Sequence, residues 1–239
     1  MRLALIQMDV KDGNTEANVN KLKKLTELVE ADLYVTPELS LTGFEGFIRE
    51  EDVEALLKDL PCVGVGFREE STDGRFNAYV IACNGEIIYK RRKYMLFSPM
   101  KEDVELKKGQ VPSPFQFKGL NLSVIICYEL RFPELFWPLA KEVHAFLVPA
   151  AWPESRAEAW MTLIKARSIE NLSYVVGVNR WGGGKYGPFA GESVFAKPDG
   201  SSVTLGKGVN VIAVEMDLRE IEESRQFPSF RDRARLTPP

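Results

Sequence analysis

The stretch from Leu122 to Glu134, LSVIICYELRFPE, decides how this sequence is interpreted. Its first six residues are almost wholly apolar, which is typical of a strand buried on both faces. Pro133 suits the first turn of a helix, so the stretch predicts a strand, a sharp turn and a helix over residues 133–142. Such a turn would lift Cys127 to the carboxyl edge of a sheet and aim free backbone N–H groups at the same point.

Two other polar residues follow predicted strands. Residues 33–35 form a short apolar strand that stops at Pro37 and places Glu38 just beyond its end, and Lys93 follows the strand predicted at 87–89. Because strand ends gather at one edge of an α/β sheet, we expect a carboxylate and an ammonium near the thiol. A carboxylate can accept the thiol proton, whereas an ammonium lowers the thiol pKa and stabilises an oxyanion.

The rest of the chain alternates strand with helix early and adds hairpins later. This order predicts α/β layering with a mixed sheet or two sheets. We find no repeat, linker or low-complexity tract, so residues 1–239 are expected to form a single domain whose tail, 226–239, is too broken for a helix. Asn84-Gly85 predicts a tight hairpin turn.

The hydrophobic pattern predicts the other elements. The predicted helices are residues 15–30, 50–59 and 154–172, and residues 98–114 are interpreted as a loop. The remaining predicted strands are 2–8, 62–67, 78–82, 115–117, 145–148, 174–178, 192–196, 201–204 and 210–215.

Composition excludes several classes of partner. The 239 residues carry 31 basic and 34 acidic side chains, a net charge of -3, so the chain has no basic field for nucleic acid or an anionic membrane. No apolar stretch approaches the roughly 20 residues needed to cross a bilayer, and the N-terminus lacks a signal-peptide pattern. We therefore expect a cytoplasmic protein that binds neither nucleic acid nor membrane.

The numbers of histidines and cysteines limit the metal sites, catalytic bases and disulfides that the chain can form. One histidine, His144, cannot build a zinc site of two or three histidines, so we expect no metal or other cofactor and a catalytic base that is a carboxylate or an amine. The three cysteines cannot all pair, and no CxxC spacing occurs. Cys62 and Cys83 are interpreted as small buried hydrophobes, because neither has polar neighbours in the sequence.

With these residues in place, the chain resembles the nitrilase (carbon-nitrogen hydrolase) superfamily over nearly its whole length. Five segments in order make a chance match improbable, although each alone would be weak. They are TPELSLTGF at 36–44, RKYMLF at 92–97, CYELRFPE at 127–134, ARSIENLSYVVGVNR at 166–180 and GESVFAKPDG at 191–200.

The resemblance implies a four-layer αββα sandwich, commonly assembled as a homodimer or higher homo-oligomer. It also implies a triad in which Glu38 is the base, Lys93 the oxyanion donor and Cys127 the nucleophile. Glu102, seven residues before Gly109, matches a second glutamate that orients the lysine or helps to position attacking groups.

Three further residues are candidates for binding substrate. The backbone N–H of Tyr128 would be a second oxyanion donor, and Arg131 and Trp152 are pocket candidates. One position departs from the family, because Met95 stands where a histidine is usual.

Within the superfamily, the nearest resemblance is to the omega-amidases, which hydrolyse the distal amide of small keto acids. The alternatives are a nitrilase, an N-carbamoyl-amide hydrolase and a non-catalytic member that binds a small molecule. A small-molecule amide is the expected substrate.

A nucleotide-binding function is not indicated. The segment Gly182-Gly183-Gly184-Lys185 is a poor phosphate loop, because Tyr186 follows the lysine where Ser or Thr is required.

Overall fold

A computed structural model describes residues 1–232 of the chain. In chain order the strands are β1 (Arg2–Gln7), β2 (Leu33–Val35), β3 (Val63–Ser71), β4 (Gly74–Cys83), β5 (Glu86–Arg92), β6 (Phe115–Phe117), β7 (Leu120–Val124), β8 (Ala145–Ala150), β9 (Tyr174–Asn179), β10 (Trp181–Gly182), β11 (Phe189–Ala190), β12 (Val194–Ala196), β13 (Ser202–Thr204) and β14 (Asn210–Glu215). The helices are α1 (Thr15–Thr26), α2 (Glu50–Leu57), α3 (Glu102–Glu105), α4 (Ala157–Asn171), α5 (Leu218–Ser224) and α6 (Pro228–Asp232).

Twelve of these strands form two six-stranded sheets. The first sheet has the order β14-β1-β2-β3-β4-β5, and the second has the order β13-β12-β9-β8-β7-β6. Strands β1, β2 and β3 pair in parallel, as do β7, β8 and β9, while the flanking strands are antiparallel. The carboxyl ends of the central strands therefore meet at one edge of each sheet.

Three apolar cores separate four layers. Along β1, Leu3 and Leu5 lie in the core between the sheets, whereas Ala4 and Ile6 lie in a second core beneath α1 and α2. A third core joins the outer face of the second sheet to α4 through Trp160. This alternation of side chains along each strand produces the αββα sandwich and confirms the expected fold class.

The structure confirms two local predictions, a helix cap and a hairpin turn. Helix α1 begins after Asn14, whose side chain accepts a hydrogen bond of 3.0 Å from Ala17 N, so it is capped as expected. The β4–β5 hairpin turns at Asn84 and Gly85, whose φ angles of 51° and 87° suit a tight turn.

The expectation of two separate buried thiols at Cys62 and Cys83 is wrong, because these residues form a disulfide. Val63 pairs with Ala82 across β3 and β4, so the next pair outward brings the two sulfurs together. Strand register is a non-local property, and the chain pattern alone did not reveal it.

Three other segments differ from expectation. Residues 133–142 form a 3₁₀ turn at Pro133–Leu135 followed by irregular turns, because Pro138 interrupts the helical pattern. The predicted loop at 98–114 contains a 3₁₀ turn and α3, and the tail contains α6, which begins at Pro228. Within residues 1–232, no helix is both long and apolar enough to cross a membrane.

Truncating the core between the sheets should destabilise the whole fold. Leu147 is fully buried there, so Leu147→Ala is expected to lower the free energy of unfolding by about 2–5 kcal/mol in denaturant titrations. Leu28→Ala is the matched control, because Leu28 is 66% exposed and its loss should change stability by less than about 0.5 kcal/mol. Equal effects of the two substitutions would contradict the layer assignment.

Candidate active site

Four residues singled out by the sequence line a single pocket: Glu38, Lys93, Glu102 and Cys127. The Lys93 ammonium lies 2.8 Å from Glu38 Oε1 and 2.9 Å from Glu102 Oε2. Lys93 and Glu38 are buried, so their ion pair is shielded from water. The structure therefore brings together one thiol, one ammonium and two carboxylates from four distant segments.

The loop after β2 fixes Glu38. Thr36 Oγ1 donates to Gly64 O at 2.8 Å, and Leu41 N donates to Gly66 O at 2.9 Å, so both ends of the loop are bound to β3. A Cβ at Gly66 would lie 2.4 Å from Leu39 N, and only glycine permits this approach. The Glu38 carboxylate is consequently held by backbone bonds on either side of it.

Asn77 joins the two carboxylates and was missed by the sequence reasoning. It lies in β4, and its Nδ2 donates at 2.8 Å to both Glu38 Oε1 and Glu102 Oε1. The backbone carbonyl of Asn77 accepts from Lys93 N at 2.8 Å, so the pairing of the strands places Asn77 beside the lysine. A buried asparagine inside an apolar strand was the available signal, because such a group needs partners.

Glu102 reaches the site through a loop that returns to β5. Gly109 N donates to Lys93 O at 2.8 Å, and Phe97 N donates to Glu102 Oε2 at 2.7 Å. A Cβ at Gly109 would lie 2.2 Å from Arg92 O, so glycine allows the loop to close against the strand. These contacts explain the spacing between Glu102 and Gly109.

Cys127 occupies a strained corner between β7 and a 3₁₀ turn. Its φ of 49° lies in the left-handed region, which costs a non-glycine residue on the order of 1–3 kcal/mol. The turn spans Cys127–Arg131, and its first hydrogen bond is donated by Glu129 N to Ile126 O. The N–H of Tyr128 precedes that bond and has no hydrogen-bond acceptor among residues 1–232. This geometry matches the elbow expected from the sequence.

Glu129 holds the corner in place and was also missed. Its carboxylate accepts from Ile126 N at 2.6 Å, from Tyr94 N at 2.7 Å and from both terminal nitrogens of Arg91 at 2.5 and 2.6 Å. Glu129 and Arg91 are buried, so neither charge has water as an alternative partner. One side chain thus ties the thiol corner to the strand end that carries Lys93.

Met95 contributes its backbone to the same carboxylate. Its N–H donates to Glu129 at 3.2 Å, and its side chain is not among the groups that line the pocket. The departure from the family pattern at this position therefore leaves the lining unchanged among the described residues.

The charges of the site oppose ionisation of the thiol. Burial raises the pKa of the Cys127 thiol and the negative charge of Glu38 raises it further, whereas the Lys93 ammonium lowers it; the net pKa lies well above the ordinary value. Burial opposes the charge on Lys93, but the carboxylates of Glu102 and Glu38 outweigh it and raise the lysine pKa. The pKa of Glu102 is lowered by the ammonium and by hydrogen bonds despite its burial. The resting site therefore contains a neutral thiol.

Aromatic and cationic side chains line the mouth of the pocket. Its empty space is about 700 Å³ including the mouth, and the lining includes Tyr128, Arg131 and Trp152, as the sequence suggested. Phe44 and Tyr186 also line it and meet edge to face, with ring centres 4.9 Å apart.

A buried ion pair anchors this rim. Arg180 Nη1 donates to Asp12 Oδ1 at 2.8 Å, and the arginine is almost completely buried. Arg180 also donates to Gly183 O at 2.9 Å, and Asp12 accepts from Phe44 N at 2.9 Å. The glycine-rich segment is thus a rim loop attached to the core, with no phosphate role required.

Comparisons with known proteins agree with this geometry. The model of the carbon-nitrogen hydrolase family matches residues 2–226. The chain belongs to the carbon-nitrogen hydrolase family. The resemblance noted from the sequence is therefore confirmed, and the protein is a hydrolase of the nitrilase superfamily.

Individual relatives of this carbon-nitrogen hydrolase cover almost its whole length. The chain is 30% identical to a 2-oxoglutaramate amidase of Bacillus subtilis, over 96% of each chain. It is 28% identical to the omega-amidase YafV of Yersinia enterocolitica, over 97% of this chain and 96% of that one. The crystal structure of a CN-hydrolase superfamily protein from Xanthomonas campestris, with an arsenic adduct in its active site, superposes with a TM-score of 0.88 at 25% identity, over 97% of this chain and 96% of that one.

The thiol of the resting hydrolase should resist ionisation at neutral pH. Because its pKa is raised, the ultraviolet absorbance of a Cys127 thiolate, taken as the difference from Cys127→Ser, should be absent from about pH 6 to about pH 9, where an ordinary thiol would ionise. Glu38→Gln removes a like charge and should move the ionisation to lower pH. A Cys127-dependent ionisation below about pH 8 in the wild type would contradict the assigned balance.

Neutralising Glu129 should damage both stability and turnover. Glu129→Gln leaves Arg91 as a buried cation without its partner, so the free energy of unfolding should fall by about 3–5 kcal/mol. Displacement of the corner should also lower kcat by at least about tenfold. Glu70→Gln is the matched control, because Glu70 forms an exposed pair with Arg75 whose loss costs about 1 kcal/mol or less. Wild-type kcat in a folded Glu129→Gln enzyme would refute the positioning role.

Proposed function

We propose that this hydrolase is an omega-amidase-like enzyme that releases ammonia from a small carboxyl-bearing amide through a thioester on Cys127. The observation that carries the proposal is the Lys93 ammonium, bound between Glu38 and Glu102 in the pocket that also holds the thiol. A base, a cationic donor and a nucleophile at one point are the components that acyl transfer requires.

Acylation begins with proton transfer. Glu38 accepts the Cys127 proton as the sulfur attacks the amide carbon, so no free thiolate accumulates beforehand. Glu38 Oε1 accepts from Lys93 and Asn77, while Oε2 accepts from Ala151 N at 3.1 Å and keeps a lone pair for the proton. The C–N bond then breaks, and Glu38 returns the proton to the leaving nitrogen as ammonia departs.

The oxyanion of each tetrahedral intermediate needs two donors. Lys93 donates to Glu38 Oε1 at 2.8 Å and to both oxygens of Glu102, at 2.9 and 3.2 Å. Lysine has three N–H groups, so when the two Glu102 oxygens share one of them, a third serves the oxyanion. The N–H of Tyr128 supplies the second donor. One well-placed donor contributes about 3 kcal/mol to transition-state stabilisation.

Deacylation uses the same groups. Water gives a proton to Glu38 and attacks the thioester carbon, the C–S bond breaks, and the proton returns to the sulfur as the carboxylic acid leaves. Glu102 contacts Lys93 and Asn77 and positions the lysine in both half-reactions.

The relatives support the substrate class. Proteins named 2-oxoglutaramate amidase and omega-amidase align over nearly the full length of the chain. A small amide with a carboxylate at its other end is accordingly the proposed substrate. A cytoplasmic location and a homodimer or higher homo-oligomer stay predictions, and sedimentation velocity would measure the assembly.

The decisive experiment combines turnover with intact mass. Wild-type enzyme should release ammonia from 2-oxoglutaramate, and Cys127→Ala should lower kcat by at least about 10³-fold. An activated ester of the same acid should give an acyl adduct on the wild-type enzyme that Cys127→Ala lacks, and Glu38→Gln should form and hydrolyse that adduct more slowly, because it has no base for either step. Glu70→Gln should retain wild-type turnover.

Other outcomes would replace the proposal. Preferential hydrolysis of a nitrile or an N-carbamoyl amino acid would assign the alternative chemistries of the superfamily. No turnover of any amide, ester, nitrile or carbamoyl substrate by folded enzyme would instead indicate a binding protein.

A further inference from the structure

The backbone just beyond β8 reaches the catalytic groups from the second sheet. Strand β8 ends at Ala150, and the next N–H, that of Ala151, donates to Glu38 Oε2 at 3.1 Å. Lys93 and Asn77 both bind the other oxygen, Oε1. Within residues 1–232, the nitrogen that donates to Oε2 is that of Ala151. The orientation of this carboxylate oxygen therefore depends on a single backbone N–H.

The same N–H acts on the thiol. Burial and then the negative charge of Glu38 raise the pKa of the Cys127 thiol. The Lys93 ammonium lowers that pKa, and so does a hydrogen bond from Ala151 N. A displacement of the Ala151 N–H would affect both partners of the proton transfer, because the carboxylate would be free to turn and the sulfur would lose a donor. The position of this backbone thus matters for the chemical step.

Asn179 holds the backbone directly beyond Ala151. Its Oδ1 accepts from Trp152 N at 2.7 Å, and its Nδ2 donates to Trp152 O at 3.2 Å. Ala150 pairs with Asn179 at the ends of β8 and β9, and the regular pairing of the two strands stops there. The side-chain carboxamide takes over from the strand ladder and binds the backbone groups that the ladder no longer reaches.

The Asn179 carboxamide is itself fixed by further hydrogen bonds. Its Nδ2 also donates to Gly191 O at 2.8 Å, so an amide turned the other way would place its oxygen against two carbonyls. Asn179 N donates to Ser193 Oγ at 3.0 Å, and Ser193 N donates to Gln7 Oε1 at 2.8 Å. Asn179, Ser193 and Gln7 are buried, and Gln7 belongs to β1. The carboxamide is therefore held by partners from both sheets.

We propose that Asn179 is a positioning residue for the amidase reaction: by binding the Trp152 backbone it directs the Ala151 N–H at Glu38 and Cys127 together. The inference rests on the proposed function and adds to it a residue that acts through the backbone. Asn179 is not among the residues that line the pocket, so a direct contact with substrate is not part of its role. The competing interpretation is that the buried amide stabilises the fold and does nothing more.

The kinetic test separates these two roles. In Asn179→Ala the N–H and C=O of Trp152 lose their partner, so the neighbouring Ala151 N–H shifts. With 2-oxoglutaramate, kcat should fall about 10- to 100-fold, because small displacements in a catalytic site are costly. KM should stay within about threefold, since the loss falls on the chemical steps.

Alkylation of Cys127 by iodoacetamide gives a readout that requires no turnover. The sulfur forms a bond to the methylene carbon, iodide leaves, and the thiol proton passes to Glu38. The second-order rate constant should therefore fall at least about tenfold in Asn179→Ala. The rise of that rate with pH should also move to higher pH, because a hydrogen bond that lowers the thiol pKa is lost.

Asn171→Ala is the matched control. Asn171 is also buried, and its Nδ2 donates to Arg167 O at 2.8 Å within α4, away from the pocket lining. Its substitution should lower the free energy of unfolding and leave kcat and the alkylation rate at their wild-type values. Asn179→Ser is a second variant that keeps a polar group in the buried position, and its short side chain cannot span both bonds to Trp152. It should fold and show the same losses.

Wild-type kcat and alkylation rate in the folded Asn179 variants would overturn the positioning role, as would equal losses in Asn171→Ala. Failure of both Asn179 variants to fold would assign this residue to stability instead. Slow alkylation of the variants relative to wild type would uphold the positioning role even if no amide were hydrolysed, and that outcome would remove the proposed function alone.

Discussion

The site depends on a buried ammonium between two carboxylates. Moving a cation out of water costs several kcal/mol, and only close, well-directed partners offset that cost. Lys93 meets this condition through Glu38 and Glu102, and Asn77 binds both carboxylates from the other side. Burial and the negative charge of Glu38 raise the pKa of the neighbouring Cys127 thiol, and the Lys93 ammonium offsets only part of that rise.

A second buried ion pair holds the corner that carries Cys127 in place. Arg91 is the next-to-last residue of β5, the edge strand of the first sheet, and Glu129 lies just beyond the corner that carries Cys127. The carboxylate also binds backbone N–H groups on both sides of the gap, so the corner and the lysine strand share one acceptor. A buried carboxylate that accepts several hydrogen bonds allows little displacement, which suits a site that tolerates small errors poorly.

Sequence reasoning selected three residues that the structure brings into one pocket, because strand ends are visible in a hydrophobic pattern. Glu38, Lys93 and Cys127 each follow an apolar run, and parallel strands end at a common edge. Asn77 and Glu129 were missed because their roles depend on register and on the docking of one sheet against the other, neither of which has a periodic signature. The disulfide between Cys62 and Cys83 escaped for the same reason.

The reactive groups are divided between two separate layers. Asn77 lies in the first sheet and Glu38 and Lys93 follow its strands, while Cys127 and Ala151 follow strands of the second. The bond from Ala151 N to Glu38 crosses from one layer to the other. Neither half alone holds the thiol, the ammonium and the carboxylates, so these groups come together only once the two sheets have docked.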